Sequence, residues 1–277
     1  MNNFTVLMSV YANDSPLFLE EALESILNQS QLPNQLVIIQ DGEISCKITE
    51  VIANFSEKVP FIVDIIVLQE NHGLGFALSK GVIASSNEII IRADADDISV
   101  NNRFEKLTSY LEKNPDISIV GSYIAEFSGS KTNIIGKRNV PLSSKEISKF
   151  AKYRSPFNHP SVAFKRSEIL KIGNYRSVRG VEDYDLWIRA VYYNLSMANI
   201  PESLVLMRVG EGMYSRRGGE GYLKSYILVK YSAYKLNVIN FVQFILGVLI
   251  MSIHVNLPVF FKKIIYTKLL HKIKRGR

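Results

Sequence analysis

The stretch Glu88-Ile-Ile-Ile-Arg-Ala-Asp-Ala-Asp-Asp97 decides how this chain reads. β-Branched side chains suit a covered, pleated surface, so the three isoleucines predict a strand buried on both faces. That strand runs straight into Asp94, Asp96 and Asp97. Carboxylates this close repel one another unless something positive sits among them. Oxygen-only ligands suit a hard divalent ion such as Mg²⁺ or Mn²⁺. In an open α/β sheet, ligands bind beyond the carboxyl ends of the strands, where these acids sit. The plainer alternative is a solvated acidic turn, since aspartate is common in turns. A turn, however, needs no three acids at the end of a buried strand.

Outward from this strand, apolar segments alternate with helical spacing. Strands are predicted at Phe4 to Tyr11, Leu36 to Ile39, Ile62 to Leu68 and Ile117 to Tyr123. Helices are predicted after Ser15-Pro16, near Ile48 to Phe55, over Gly73 to Ser85 and over Arg103 to Glu112. Short connections between them predict an α/β fold, a mostly parallel central sheet flanked by helices. Residues 124–165 break the rhythm and read as loops and short antiparallel strands. Ser167 to Ile172 and Asp183 to Tyr193 read as helices, the latter burying Leu186, Ala190 and Tyr193. A strand is expected near Ser203 to Arg208.

The chain has 277 residues, 47% of them hydrophobic, enough for one large domain or a domain with an appendage. Its one cysteine, Cys46, excludes an internal disulfide and suits a reducing compartment. The first residues lack the charged start of a signal peptide, so a cytosolic catalytic part is expected. Much of the +7 net charge lies in Lys262, Lys263, Lys268, Lys272, Lys274, Arg275 and Arg277. A basic tail after an apolar stretch points to anionic lipid, and no nucleic-acid motif accompanies it.

Several further motifs carry candidate chemistry. Asp41 stands at the end of the second strand, where a carboxylate can accept from a nucleotide's base or ribose; a turn aspartate before Gly42 is the alternative. Asn71-His72-Gly73-Leu74-Gly75 turns into a helix and offers N–H groups to an anion. A dinucleotide fingerprint belongs in the first strand-to-helix turn, which here is Tyr-Ala-Asn-Asp-Ser-Pro. The chain also lacks a phosphate-binding Gly-x-x-x-x-Gly-Lys loop. Glu182 and Asp183 open a helix, either as acids favoured by its dipole or as a general base in an apolar cleft near Trp187. His159 reads as structural. Arg208 and Arg216-Arg217-Gly218-Gly219 suit either a mobile loop clamping a phosphate or a solvated basic loop.

Taken in order, Ser9-Val10-Tyr11, Gln40-Asp41-Gly42, Asn71-x-Gly-Leu, Arg92-Ala-Asp-Ala-Asp-Asp and Glu182-Asp183-x-x-Leu-Trp resemble the family 2 glycosyltransferases of GT-A fold. The match covers about residues 4 to 217, and within the family it looks most like bacterial O-antigen, capsule or exopolysaccharide enzymes. The resemblance implies that Asp41 contacts the uracil of a UDP-sugar near Ser9 and Tyr11, with Asn71, Gly73 and Arg92 also at the nucleotide. It implies that Asp94 and Asp96 form the Asp-x-Asp pair for ribose and metal, with Asp96 the direct ligand. Asp183, beside Glu182, becomes the catalytic base of an inverting transfer of a hexose, galactose or glucose favoured. Many relatives carry a His soon after the residue equivalent to Arg208. Here Arg208-Val-Gly-Glu-Gly has none, which leaves Arg216 and Arg217 to take up diphosphate charge, or a metal held by fewer ligands. The rival is a phosphatase of the haloacid dehalogenase type, since Asp94-Ala-Asp96-Asp97-Ile98 nearly matches its loop, although that loop follows a first strand. A second is a non-catalytic nucleotide-sugar-binding membrane protein.

Residues 239–261 are nearly all apolar but interrupted by His254, Asn256 and Pro258, while a clean span takes about 20 apolar residues. A cytosolic donor and a basic end on the same side argue against a single span. The expectation is a catalytic domain over 1–225 and, over 226–277, helices lying on the cytosolic face of the bacterial inner membrane. A lipid-linked (polyprenyl diphosphate) saccharide acceptor would account for that anchoring. The alternative is a helical cap packed on the domain.

Overall fold

The computed structural model describes residues 3–210, 218–258 and 260–262. Its first half is the predicted alternation: β1 (Phe4–Val10), α1 (Pro16–Leu27), β2 (Gln35–Asp41), α2 (Cys46–Ser56), β3 (Ile62–Leu68), α3 (Leu74–Ala84) and β4 (Ile89–Asp94). These four strands pair in parallel in the order β3-β2-β1-β4. Side chains alternate across a strand. Accordingly Ile89 and Ile91 enter the core formed with α1 and α2, and Ile90 enters the opposite core with α3. Both faces are covered, and this is why the β4 run is continuously apolar. β3 lies at the sheet edge and leaves Ile62, Ile65 and Val67 exposed.

β5 (Ile98–Ser99) and α4 (Arg103–Lys113) follow, then β6 (Ile119–Phe127) and β7 (Ile134–Arg138). The sheet continues through β8 (Ala163–Lys165), β6, β9 (Met197–Arg208) and β5, with β8 antiparallel to both β4 and β6. The sheet is therefore mixed beyond β4. The loop-rich expectation for 124–165 misses α5 (Ser144–Ala151). Its start is a reciprocal cap in which Ser143 Oγ accepts from Glu146 N and the Glu146 carboxylate accepts from Ser143 N. α6 (Arg166–Lys171) ends at Gly173, whose φ of +91° suits glycine.

α7 (Glu182–Tyr192) buries Leu186, Trp187 and Ala190. Tyr193, expected on that buried face, is instead 51% exposed just past the helix end. α8 (Gly219–Lys235) packs Tyr226, Val229 and Ala233 against Tyr184 and Ile188 of α7. The boundary expected between 225 and 226 falls inside α8. α9 (Phe241–Asn256) folds back on α8 and turns Val242, Ile245, Leu246, Leu249, Ile250 and Ile253 outward. Among the described residues no helix is long and apolar enough to cross a membrane.

Candidate functional site

Parallel pairing places the strand ends in one row. Ser9 of β1 lies opposite Ile39 of β2 on one side and Asp94 of β4 on the other, and Asp41 closes β2 opposite Leu68. Asp41 is 3% exposed, and its two carboxylate oxygens accept from His72 N (2.8 Å) and Gly73 N (2.9 Å). Two of the N–H groups expected to be open to an anion in the turn before α3, those of His72 and Gly73, are thus taken by Asp41. Each oxygen retains acceptor capacity, since an ionised carboxylate offers about four sites in all. Asn71 is exposed, and its amide donates to the Asp41 carbonyl (3.1 Å). Gly42 permits this contact: a Cβ there would stand 2.8 Å from Asn71 N. Ser9 and Tyr11 are half-buried, and Asp14 holds the Tyr11 N–H at 2.9 Å.

Beyond β4, Asp94, Asp96 and Asp97 each offer an oxygen within 4.8 Å of the others. Arg92 is 2% exposed and grips Asp94 with both terminal nitrogens, one of them 2.6 Å from Oδ2. Its position is behind the carboxylate and out of solvent. Burial, with the charges of Asp94 and Asp96, pushes the Asp97 carboxyl well above the usual carboxylate range. A divalent cation relieves just this kind of crowding, and an all-oxygen set is the donor chemistry of Mg²⁺ or Mn²⁺. The residues fit such an ion.

Arg208 braces the same loop from β9. Its N–H donates to Asp97 Oδ1 (2.9 Å) and its Nε to the Asp96 carbonyl (3.1 Å), while the guanidinium pairs with Glu21. The guanidinium also lies between Phe18 and Phe127, 3.9 and 4.6 Å from the ring centroids. Arg208 is therefore fixed in place and is not part of a clamping loop. Arg216 and Arg217 lie outside the described residues.

The second acidic group reaches this edge because of a glycine. A Cβ on Gly75 would meet the Arg176 carbonyl at 2.2 Å and Glu182 Cβ at 3.1 Å. The bare backbone of α3 thus lets the start of α7 close onto the Asn71-His72-Gly73 turn. Glu182 is 8% exposed, and burial followed by the Asp183 charge raises its carboxyl to about 7. Asp183 is more open and accepts from Ser155 Oγ at 3.1 Å. Burial first, and then the charges of Asp183, Glu182 and Asp94, hold the Tyr175 phenol protonated against the pull of Arg92, so Tyr175 senses both acidic groups. His159 bonds Tyr175 Oη (3.0 Å), and desolvation and Arg92 keep its ring neutral, in keeping with a structural histidine. Ser155, Tyr175 and Glu21 carry no sequence signal of their own, being brought in by loops and by α1.

With the geometry established, likeness to known proteins decides the family. The profile of Glycosyl transferase family 2 matches residues 5–173, over half the chain. The chain belongs to glycosyltransferase family 2. It is 38% identical over 272 residues to the Escherichia coli UDP-Gal:alpha-D-GlcNAc-diphosphoundecaprenol beta-1,3-galactosyltransferase, covering 97% of each. It is 32% identical over 265 residues to the amylovoran biosynthesis glycosyltransferase AmsE of Erwinia amylovora, covering 96% of this chain and 98% of that protein. S. aureus TarS 1-349 in complex with UDP-GlcNAc superimposes with a TM-score of 0.65 at 14% identity, over 97% of this chain and 71% of that one. So distant a likeness establishes the fold, and it is the GT-A fold the sequence predicts. The family 2 glycosyltransferase assignment also removes the phosphatase rival.

Proposed function

We propose that this glycosyltransferase moves a hexose, galactose favoured, from a UDP-sugar to a lipid-diphosphate-linked glycan with inversion. The observation that carries it is an all-oxygen carboxylate set beyond the carboxyl ends of the strands, with a helix-initiating acid pair brought in through Gly75. End-to-end likeness to an enzyme named for UDP-Gal and a diphosphoundecaprenol acceptor supports this donor and acceptor.

Asp41, near Ser9 and Tyr11, accepts from the base of the nucleotide, and Asn71 and Gly73 shape that pocket. Asp94 and Asp96, with Asp97, hold Mn²⁺ or Mg²⁺, and Arg92 keeps Asp94 aimed. A bound divalent ion supplies neutralisation of the leaving diphosphate's charge. Arg216 and Arg217 are the cations the sequence offers to the same diphosphate. Asp183 takes the proton of the acceptor hydroxyl as its oxygen bonds the anomeric carbon and the bond from that carbon to UDP breaks. One displacement inverts the centre, so a UDP-α-sugar gives a β-linkage. Below about pH 7 Glu182 keeps its proton, which leaves the negative charge of the pair on Asp183.

The outward apolar stripe of α9, followed in sequence by a basic segment, supports peripheral attachment to an anionic cytosolic leaflet. The functional test is UDP release with Mn²⁺, a panel of UDP-sugars and lipid-diphosphate acceptors. Acceptor-dependent release with one sugar, abolished by EDTA and by Asp96→Ala, is expected. Release from no sugar, with phosphate freed from simple phosphomonoesters, would overturn the assignment.

A further inference from the structure

Beside the apolar packing of α8 on α7, a buried cation ties the α8–α9 pair to the catalytic domain. Lys230 of α8 is 1% exposed. Its ammonium donates to the Lys152 carbonyl (2.8 Å) and to the Tyr184 hydroxyl (2.9 Å). The Tyr184 hydroxyl in turn donates to the Ala151 carbonyl at 2.7 Å. Ala151 and Lys152 end α5, where helix carbonyls lack partners and carry partial negative charge. The rings of Tyr184 and Tyr226 flank the ammonium, with centroids 5.3 and 5.7 Å away. On the α9 side, Gly247 clears room for the lysine stem: a Cβ there would stand 3.1 Å from Lys230 Cε.

These contacts bracket the proposed base. Tyr184 is the residue after Asp183 on α7. Ser155, which donates to Asp183, stands three residues after Lys152 in the loop leaving α5. The separation of Ser155 from Asp183 is therefore set by how α5 seats against α7, and Lys230 joins the end of α5 to Tyr184. We propose that Lys230 is a positioning residue that orients the Asp183 carboxylate from the C-terminal helix pair, so that α8–α9 belongs to the active site as well as to any anchoring surface. This rests on the assignment of Asp183 as base.

Lys230 faces neutral partners: the Lys152 carbonyl and the Tyr184 hydroxyl, beside the rings of Tyr184 and Tyr226 and the Gly247 backbone. With no carboxylate among them, desolvation lowers its ammonium to about 8. Protonation strengthens a donor to a carbonyl, so loss of the charge weakens the clasp. Turnover should accordingly decline as pH rises through about 8.

The test uses the full chain as wild type, Lys230→Met and, as a control, Lys224→Met at an exposed lysine of the same helix. Methionine keeps much of the stem and removes a desolvated charge, so Lys230→Met should fold. Measured with UDP-galactose and a lipid-diphosphate-linked GlcNAc, its kcat should fall about 10- to 100-fold, the scale of a misplaced catalytic group. UDP affinity should be unchanged. The decline of kcat above about pH 8 should be present in wild type and in Lys224→Met and absent in Lys230→Met. Fluorescence of Trp187, the one tryptophan, which lies one turn along α7 from Asp183, should show the same pH step only where Lys230 remains. Wild-type kcat in Lys230→Met, or kcat and UDP affinity falling together, overturns the positioning role and leaves the transferase standing. Wild-type enzyme that releases no UDP overturns the transferase assignment, and the positioning role with it.

Discussion

Replacing Glu182 by Gln should uncouple stability from pH across the neutral range. The ordinary Glu carboxyl titrates at 4.5, and burial with the neighbouring Asp183 charge lifts this one to about 7. Between those values the folded chain binds more proton than the unfolded one, so wild-type stability falls as pH rises. The contribution is fully present below about 4.5 and gone above about 7. At about 1.4 kcal/mol per tenfold change in proton affinity, it totals about 3 kcal/mol, of which about 2.5 kcal/mol is lost between about pH 5 and about pH 8. Glu182→Gln stays neutral throughout. Urea unfolding followed through Trp187 should therefore show the variant gaining on wild type by about 2–3 kcal/mol over that interval. In an Asp183→Asn background the gain should shrink, because one cause of the raised affinity is removed. Parallel stability curves for wild type and Glu182→Gln would refute the buried, protonated Glu182.

Two other perturbations probe the packing and the outer surface. Gly75→Ala forces a Cβ against the Arg176 carbonyl and should cost about 1–3 kcal/mol by overpacking, read as a lowered melting temperature; an unchanged melting temperature would show that the α7 approach is looser than this contact. Ile250→Glu places a charge on the outward stripe of α9 and should cut co-sedimentation with phosphatidylglycerol vesicles while UDP binding is retained. Equal sedimentation of variant and wild type would refute a lipid-facing α9.

The tail shows how a local pattern leaves two packing outcomes open. The sequence offered leaflet-lying helices or a cap on the domain. In the structure α8 packs on α7, which is cap-like, while α9 keeps an apolar stripe outward. A helix apolar on every side reads alike whether its outer face meets protein or lipid. The missed α5 has a different cause. Its eight residues carry too short an apolar stripe to stand out by periodicity, and only the Ser143–Glu146 cap marks its start.

The sequence by itself determined the parallel half of the sheet, the acids at the end of β4 and the family. Period-two and period-3.6 patterns are local, and the acids follow a buried strand whose isoleucines leave little choice of direction. Tertiary structure decided which acids act together. Asp41 satisfies a turn 31 residues away, Arg208 reaches Asp97 from 111 residues away, and Glu182 comes to that edge because Gly75 has no side chain. These are contacts between chain segments whose meeting depends on how layers pack, and no local pattern encodes that. The raised proton affinities of Asp97 and Glu182 belong to the same class, because burial and neighbouring charge exist only once the strand ends and the start of α7 are assembled.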